Sequence, residues 1–319
     1  MIKGAVIMTL DSIQEIINNE NLVWGKPLEN ESKKFFCKLS EDVINELNQN
    51  ISNDNFLNME FSLLEKEIGK MKNTYLNNGV GFFIIDGTSF LHFSKSEIKK
   101  IYEKICKCLG ILYEQNIKKE KFVEIKDSGK SMKTGGRYHQ TKEGGSYHTD
   151  SPQWENVPDY VGLYCVSRAK IGGESKFVSA YKIHNDLLKN NEDYLRLLYE
   201  KFHFDKRGEI KDNESKTVFE PIFKIVNNEL RCRYLRNYIN DGHDISKEGL
   251  TAEQVIALNN FDKFSMKDEN VVSYNLETND ILFFNNHRIL HGRSSFEDYD
   301  EEERKRLMIR TWIKDPELY

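Results

Sequence analysis

Two histidines and one aspartate, widely separated along the chain, most constrain what this sequence can fold into. His148 and Asp150 are two residues apart, and His291 lies 141 residues beyond the aspartate. Residues two apart on a β-strand point to the same side, so His148 and Asp150 can reach one ion together while Thr149 faces away. The second histidine must then come from a neighbouring strand. Two imidazoles and one carboxylate leave one face of a divalent metal open, so the set predicts a non-haem iron centre.

Three further motifs accompany these residues in a fixed order. A Gly-Gly-Glu-Ser run occupies residues 172–175, Asn286-x-x-x-Leu-His-Gly-Arg surrounds the distal histidine, and Arg306 to Arg310 form a basic and apolar run beyond it. The combination resembles the taurine dioxygenase and clavaminate synthase-like family of Fe(II)/2-oxoglutarate oxygenases, over roughly residues 71–319.

The resemblance implies a fold as well as a chemistry. We expect a mixed α and β protein whose core is a double-stranded β-helix, or jelly roll, with flanking helices, as in clavaminate synthase-like enzymes. A single oxygenase domain is expected over residues 1–319. A mainly helical N-terminal segment would span 1–75, and the core would span 76–319 with a helical insertion at about 182–265. The mouth of such a barrel can hold a metal among inward-facing side chains.

The family's chemistry implies Fe(II), 2-oxoglutarate as co-substrate and molecular oxygen. A guanidinium offers a planar grip for the far carboxylate of 2-oxoglutarate, and Arg306 is the expected residue. Ser175 corresponds to the hydroxyl donor that shares this carboxylate, where the family more often has threonine. Arg310 would contact the co-substrate or the acid group of the primary substrate. Both arginines would face the barrel interior if the segment is a strand, because their apolar neighbours would share the other face. Those neighbours are Leu307, Ile309, Thr311 and Ile313.

Two of these motifs have ordinary structural interpretations. The charged run 301–306 is by composition typical of a solvated surface, and only the family register singles out Arg306, so Arg304 and Lys305 are expected at the surface. The glycine pair at 172–173 is also typical of a turn between strands, which is compatible with a role near the co-substrate.

A second metal arrangement is suggested by His287 and His291, whose i,i+4 spacing matches the histidines of a zinc protease helix. Arg288 stands where the catalytic glutamate would be, and the preceding residues 280–284 form a β-type run and not a helix. His287 is therefore interpreted as a cavity-wall residue or one packed behind the ligands.

The sequence indicates only the class of the primary substrate. One cation remains after 2-oxoglutarate is bound, which suggests a small molecule with a carboxylate or sulfonate, and an amino-acid-like substrate is preferred. Tyr138, Gln140 and Trp154 are candidate contacts because they flank the His-x-Asp motif, although these residue types also suit ordinary packing. Arg236 is a candidate because it lies in a strand-like segment, 231–238, that mixes basic and aromatic residues and could supply acid-binding groups. Its arginines could equally pair with acidic residues at the surface.

Composition excludes several classes of function. The chain has 319 residues, 39% apolar and 30% charged, and a formal net charge of −5, so nothing indicates a nucleic-acid partner. Asp11 and Glu15 interrupt the apolar N-terminal stretch, so no signal peptide or membrane span is expected and the cytoplasm is the default location. Five cysteines without a disulfide or zinc pattern are interpreted as free thiols. Oligomeric state is not predicted.

Local patterns predict the main elements. Helical patterns occur in residues 10–75, 96–114, 182–202 and 247–264. Ser40 can cap a helix in the first of these ranges, and Thr251 can cap a helix in the last. Strands are expected at 79–87 and 159–166.

Two other classes of function remain open from the residues alone. A zinc or manganese hydrolase could use the same triad without needing Ser175 and Arg306, and a non-catalytic binding protein could use the same scaffold. Within the family resemblance, the presence of Asp150 argues against halogenation, because halogenating relatives have a small residue there.

Overall fold

The computed structural model describes residues 15–116, 118–129, 141–145, 147–210 and 214–318. The helices in these ranges are Glu41–Asn50 (α1), Ser62–Met71 (α2), Lys95–Leu109 (α3), Ala180–Asn190 (α4), Glu192–Leu197 (α5), Arg236–Ser246 (α6) and Ala252–Ser265 (α7). The strands are Phe36–Cys37 (β1), Phe82–Ile85 (β2), Ile111–Tyr113 (β3), Phe122–Ile125 (β4), Tyr160–Ser167 (β5), Ile171–Gly172 (β6), Ser175–Ser179 (β7), Lys201–Asp205 (β8), Thr217–Pro221 (β9), Phe223–Val226 (β10), Glu229–Cys232 (β11), Val271–Tyr274 (β12), Ile281–Asn285 (β13), Ile289–Arg293 (β14), Phe296–Glu297 (β15) and Leu307–Lys314 (β16).

Two sheets form the centre of the fold. The larger sheet has the order β1-β2-β13-β5-β16-β3, with β4 also pairing with β16, and the smaller sheet has the order β12-β7-β14. Apolar side chains of both sheets form one buried cluster between them. In this cluster Phe82 of β2 stacks on Phe177 of β7 with ring centroids 4.7 Å apart. The two sheets therefore pack face to face, and whatever lies at one end of this layer lies inside the barrel.

Side-chain alternation in the larger sheet separates two cores. Phe82 and Ile84 face the smaller sheet, whereas Phe83 and Ile85 join a second cluster with helices α1, α2 and α3. Because both faces of β2 are buried, its sequence within 79–87 is a continuous apolar run and does not alternate with polar residues. The same alternation holds in β16, where Ile309 and Ile313 face the helices. The predicted strands at 79–87 and 159–166 are confirmed.

The helix predictions hold in part. Ser40 and Thr251 cap α1 and α7 through their side chains, as expected. The helix predicted over 96–114 ends at Leu109, and residues 111–113 are instead strand β3 beside β16. At the junction, a Cβ on Gly110 would lie 2.3 Å from the carbonyl oxygen of Lys314, so the chain passes too close to β16 for a continuing helix with side chains.

The stretch between β7 and β12 is less helical than predicted. It contains α4, α5, α6 and α7, but residues 201–232 form two β-hairpins, β8–β9 and β10–β11. The strand interpretation of 231–238 is right only at its start, because β11 ends at Cys232 and helix α6 begins at Arg236. The four short strands follow one another between α5 and α6, and they were missed because local propensity decides little in so short and charged a region.

No helix in the described part of the chain has both the length and the apolar character needed to cross a bilayer.

Helix α6 packs on hairpin strand β8 with no space for a side chain at Gly242. A Cβ there would lie 2.3 Å from the carbonyl oxygen of His203 and 2.8 Å from the backbone nitrogen of Asp205. We predict that Gly242→Ala lowers the free energy of unfolding by about 1–3 kcal/mol, because the helix must move off the strand. The midpoint of urea denaturation measures this. Gly249→Ala is the control, since a Cβ there meets nothing within 4 Å. Equal midpoints for the two variants would contradict the packing described.

Candidate metal centre and cavity

The site begins with a pair of backbone hydrogen bonds between His148 and His291. The amide of His148 donates to the carbonyl of His291 at 3.0 Å, and the amide of His291 donates back at 2.9 Å. His291 lies in β14 on the same face as Ile289, whose side chain is in the cluster between the sheets. The second histidine thus comes from a strand beside the His-x-Asp motif, although His148 itself forms only an isolated bridge and not a full strand.

The three predicted ligands converge. One ligand atom from each of His148, Asp150 and His291 can be chosen so that all lie within 4.8 Å of one another. The Oδ1 atom of Asp150 is 3.8 Å from Nε2 of His148 and 3.6 Å from Nε2 of His291. These separations suit donor atoms that surround one ion at about 2 Å from each. Their ligation of a metal remains a prediction.

Asn286 fixes the backbone of Asp150 from both sides. Its Oδ1 accepts from the amide of Asp150 at 2.7 Å, and its Nδ2 donates to the carbonyls of Asp150 and Pro158, both at 3.0 Å. On the preceding residue, Thr149 binds Tyr234 through its backbone amide and its hydroxyl. The loop that carries His148 and Asp150 is therefore held by β-strand neighbours and by the region between β11 and α6.

Two donors reach the carboxylate of Asp150 from strand β16. The indole N–H of Trp312 donates to Oδ2 at 2.7 Å, and Nη1 of Arg310 lies 3.2 Å from the same oxygen. Burial acts to raise the pKa of Asp150. The charges of Arg310 and of the two histidines outweigh burial, and together with the Trp312 bond they lower this pKa to about 2. Asp150 is therefore an anion at neutral pH, as a metal ligand must be.

The imidazole of His291 is neutral at neutral pH. Burial lowers its pKa to about 3, and the neighbouring His148 acts in the same direction. Its Nδ1 is buried and has no hydrogen-bond partner among the described residues. A neutral imidazole keeps a lone pair for a metal, so the site is prepared to bind a cation without first losing a proton.

A cavity of about 390 Å³ opens beside these residues. Its wall includes all three candidate ligands, side chains from β5, β7, β14 and β16, and residues of the segment that runs from the end of β8 into α6. The members from this last segment are Arg207, Glu209, Leu235, Asn237, Tyr238 and Asp241. The cavity thus lies at the end of the layer between the two sheets, with the insertion as one wall.

Arg306 is a buried cation in the cavity wall. Its side chain lies over the ring of Phe296, 5.2 Å from the centroid, and the residue is only 5% exposed. Among the described residues no carboxylate lies within 4.0 Å of its guanidinium, and its Nη1 has no acceptor. Burial lowers the pKa of Arg306. A buried charge without a counter-ion is costly, so this position favours binding of an anion.

Ser175 and the glycine pair lie beside this cation. Ser175 of β7 pairs in register with Arg293 of β14 and lines the cavity. Gly172 and Gly173 both have left-handed backbone angles, and a Cβ on Gly173 would come within 3.3 Å of Nε of Arg306. The glycine pair is therefore a turn between β6 and β7, and this turn also makes space for the guanidinium. Its role near the co-substrate remains a prediction.

The candidate substrate residues have different positions. Tyr138 and Gln140 lie outside the described residues. Trp154 packs edge-on against Trp312 and donates to Glu209 at 2.9 Å, but it is not part of the cavity wall. Arg236 also lies away from the wall, and its guanidinium binds Asp262 at 2.6 Å. The surface-pairing interpretation therefore fits Arg236 better than acid binding.

The structure also places His287, Arg304 and Lys305, which the sequence analysis had set apart from the metal and co-substrate residues. His287 is buried behind the site and shares a hydrogen bond of 2.8 Å with Asp159, so of its two predicted positions it takes the one behind the ligands. Arg304 is half exposed and pairs with Glu301, and Lys305 pairs with Glu302, as a solvated run would.

Three cavity residues were not singled out from the sequence. Trp312 shares its side of β16 with Arg306 and Arg310, so the same alternation that selected the arginines would have found it. Arg293 ends the His-Gly-Arg run and shares a strand face with His291, yet no role was assigned to it. Gln115 had no sequence signal, because it comes from the connection after β3 and reaches Arg310 only in the folded chain.

We predict that Asn286→Ala destabilises the protein by about 2 kcal/mol or more, because it leaves three buried backbone groups around Asp150 without partners. Urea denaturation of the metal-free protein measures this loss. The control is Asn260→Ala in α7, where an exposed asparagine makes one hydrogen bond to the carbonyl of Ile256. Its expected change is within about 0.5 kcal/mol. An Asn286→Ala variant with the stability of the unmodified protein would show that these three hydrogen bonds are dispensable.

Comparisons with solved structures agree with this fold. Asparagine oxygenase in complex with Fe(II), 2S,3S-3-hydroxyasparagine and succinate superposes with a TM-score of 0.67 and 12% identity, over 88% of this chain and 94% of that one. The non-heme iron oxygenase OrfP in complex with Fe, succinate and (3S)-hydroxy-L-Arg gives a TM-score of 0.65 and 13% identity, over 88% and 94%. The predicted jelly-roll core with flanking helices is confirmed.

Sequence comparisons identify the family. FR-33289 synthase of Streptomyces rubellomurinus is 31% identical over 75% of this chain and 70% of its own length. Gamma-butyrobetaine dioxygenase of Homo sapiens is 26% identical over 48% of this chain, but the match spans only 40% of that protein. The family model of the taurine catabolism dioxygenase TauD, TfdA family, matches residues 45–312. The chain therefore belongs to the TauD/TfdA family of Fe(II)- and 2-oxoglutarate-dependent dioxygenases.

Proposed function

We propose that this oxygenase hydroxylates a small acidic or amino-acid-like substrate, with His148, Asp150 and His291 as the iron ligands. In this proposal Arg306 and Ser175 hold the far carboxylate of 2-oxoglutarate. Bound Fe(II) with 2-oxoglutarate and molecular oxygen would supply the oxidising chemistry: one oxygen atom would enter the succinate formed by decarboxylation of the co-substrate, and the other would be inserted into a C–H bond of the substrate.

The observation that carries the co-substrate assignment is the buried guanidinium of Arg306, which has no ion-pair partner among the residues that the structure describes. A hydrolase that used the same triad would have no need for a buried cation and a hydroxyl in the wall of the same cavity. A dicarboxylate that chelates the metal through one end brings its second carboxylate into the same cavity, where a guanidinium offers two parallel donors. Family membership among dioxygenases likewise favours the oxygenase over the hydrolase and over a non-catalytic binding protein.

Arg310 and Arg293 also line the cavity, and they differ in the hydrogen bonds and ion pairs that they make with the protein. Arg310 lies against Asp150 and donates through Nε to Gln115 at 2.9 Å. Arg293 donates to the backbone carbonyls of Thr141 and Glu143 and makes no ion pair with any described residue. Arg293 is therefore a better candidate than Arg310 for the spare cation that an acidic substrate would meet.

Charge in the cavity supports an anionic group on the substrate. Arg293, Arg306 and Arg310 carry three positive charges, which Asp150 and the two carboxylates of 2-oxoglutarate balance. Bound Fe(II) would then leave the inner cavity positive. A substrate carboxylate or sulfonate would reduce that excess, and the low dielectric of a closed cavity strengthens the attraction.

The wall formed by the insertion supports an amino-acid-like substrate. Glu209 and Asp241 add two carboxylates on this side, and Asp241 is already paired with Arg207 at 3.0 Å. Carboxylates facing a cavity can accept hydrogen bonds from a substrate ammonium. The two solved structures named above contain 3-hydroxyasparagine and (3S)-hydroxy-L-Arg, which are amino acids that carry an added hydroxyl group. In this proposal the carboxylates of this wall accept hydrogen bonds from the substrate ammonium, and the arginines of the cavity donate hydrogen bonds to the substrate acid group.

We predict that anaerobic addition of Fe(II) and 2-oxoglutarate to the metal-free protein produces the visible charge-transfer band of the chelate. His291→Ala should abolish the band because one of three ligands is lost. Arg306→Ala should weaken 2-oxoglutarate binding by about 30-fold or more, as expected when one partner of a buried charge pair is removed. A titration of band intensity against 2-oxoglutarate gives the dissociation constants.

Arg304→Ala is the matched control for this titration, because it removes a half-exposed guanidinium two residues away that pairs with Glu301. Its dissociation constant should equal that of the unmodified protein. Metal binding without a charge-transfer band would instead favour the zinc or manganese hydrolase. Equal loss in both arginine variants would contradict the role assigned to Arg306.

We predict that Asn237→Leu raises KM for the primary substrate several-fold without changing the dissociation constant of 2-oxoglutarate. Asn237 is an exposed residue of α6 that contributes an amide to the cavity wall. Substrates are found first by succinate release in a panel of amino acids and other small acids. Asn240→Leu on the same helix is the control, since Asn240 lies off the wall and accepts a bond from Arg236. An unchanged KM in Asn237→Leu would contradict the placement of α6 in the substrate site.

A further inference from the structure

The two oxygens of Asp150 have different surroundings. Oδ1 is the atom nearest both imidazoles, at 3.6 Å from His291 and 3.8 Å from His148. Oδ2 accepts the indole N–H of Trp312 at 2.7 Å, whereas Nη1 of Arg310 lies near both oxygens, 3.2 Å from Oδ2 and 3.4 Å from Oδ1. A carboxylate can bind a metal through one oxygen or through both, and the second mode would occupy a coordination position needed by other ligands. What holds Oδ2 therefore decides how many positions remain open.

We propose that Trp312 is a positioning residue that keeps Asp150 a one-oxygen metal ligand, with Arg310 as its partner on the same carboxylate. This inference rests on the proposed function, since it assumes that the triad binds the metal. It assigns to the indole N–H a role in the reaction that is distinct from packing.

The bond is strong enough to set the coordination mode. A hydrogen bond to an ionised acceptor is stronger than one between neutral groups, and breaking it would also leave a buried indole N–H without an acceptor. Trp312 is 5% exposed, so water cannot easily replace the lost partner. Rotation of Oδ2 toward the metal would have to overcome both costs.

The surroundings of Trp312 fix the direction of its N–H. Its ring meets Trp154 edge-on at a centroid distance of 5.2 Å, and the guanidinium of Arg310 lies 4.7 Å from its ring centre. Arg310 is in turn oriented by Gln115, which accepts from its Nε at 2.9 Å and donates to its backbone carbonyl at 3.0 Å. Packing and hydrogen bonds thus hold two donors against one carboxylate.

The chain contains a matched control for this idea. Trp154 is the partner in the same edge-on pair, but its indole N–H donates to Glu209 and not to a candidate ligand. Trp312→Phe and Trp154→Phe therefore remove the same group from the same aromatic pair. Only the first removes the bond to Asp150.

Co(II) is the probe, because it is stable in air and its visible absorption reports ligand number. We expect Trp312→Phe to bind Co(II) about 10- to 100-fold more weakly than the unmodified protein, as for other losses of a group that orients a metal ligand. We also expect a changed visible spectrum as the carboxylate rotates to bind through both oxygens. Trp154→Phe should retain the affinity and the spectrum of the unmodified protein. Thermal unfolding of the metal-free proteins measures any general loss of stability.

The inference is overturned if Trp312→Phe binds Co(II) with unchanged affinity and spectrum. It is also overturned if both variants weaken binding equally, because the effect would then come from the aromatic pair and not from the N–H. Failure of the unmodified protein to bind Co(II) would be a different result, since it would contradict the metal site on which the proposed function depends and remove this inference with it.

Discussion

The reciprocal backbone hydrogen bonds between His148 and His291 are the constraint on which the site depends. They join the loop before β5 to the edge of β14 across 143 positions of sequence. Because the pairing is antiparallel and direct, it fixes the relative register of the two histidines and brings both imidazoles to one side. A slip of one residue would turn His291 away from the cavity. Asn286, five residues before His291, fixes Asp150 in the same frame through its backbone.

Around this frame the protein prepares a site for cations and anions at the same time. His291 stays neutral and Asp150 stays ionised over the ordinary range of pH, so a divalent metal meets no bound proton on either. Arg306 remains a buried cation without a carboxylate partner among the described residues. The buried charge of Arg306 costs free energy while no anion lies beside it, and the carboxylate of the co-substrate that the proposed function requires would relieve that cost. Binding of metal and co-substrate should accordingly stabilise the fold.

Alternation along strands explains why so much of the site was accessible from sequence. His148, Asp150 and His291 were found from their spacing, and the inward direction of Arg306 and Arg310 followed from the apolar face of β16. The insertion was harder, because its strands β8 to β11 are only four or five residues long and carry little local pattern. For that reason Arg236 was expected in a strand near the substrate, although it begins a helix and binds Asp262. Trp312 was within reach of the same alternation, whereas Gln115 becomes a neighbour of Arg310 only through tertiary structure.

The most direct test of the account is a crystal structure of the protein grown without oxygen in the presence of Fe(II) and 2-oxoglutarate. The account predicts an anomalous iron peak between Nε2 of His148, Nε2 of His291 and one oxygen of Asp150. It also predicts the far carboxylate of 2-oxoglutarate against Arg306 and Ser175. Iron bound elsewhere would contradict the metal assignment, and a co-substrate carboxylate that avoids Arg306 would contradict the role given to the unpaired cation.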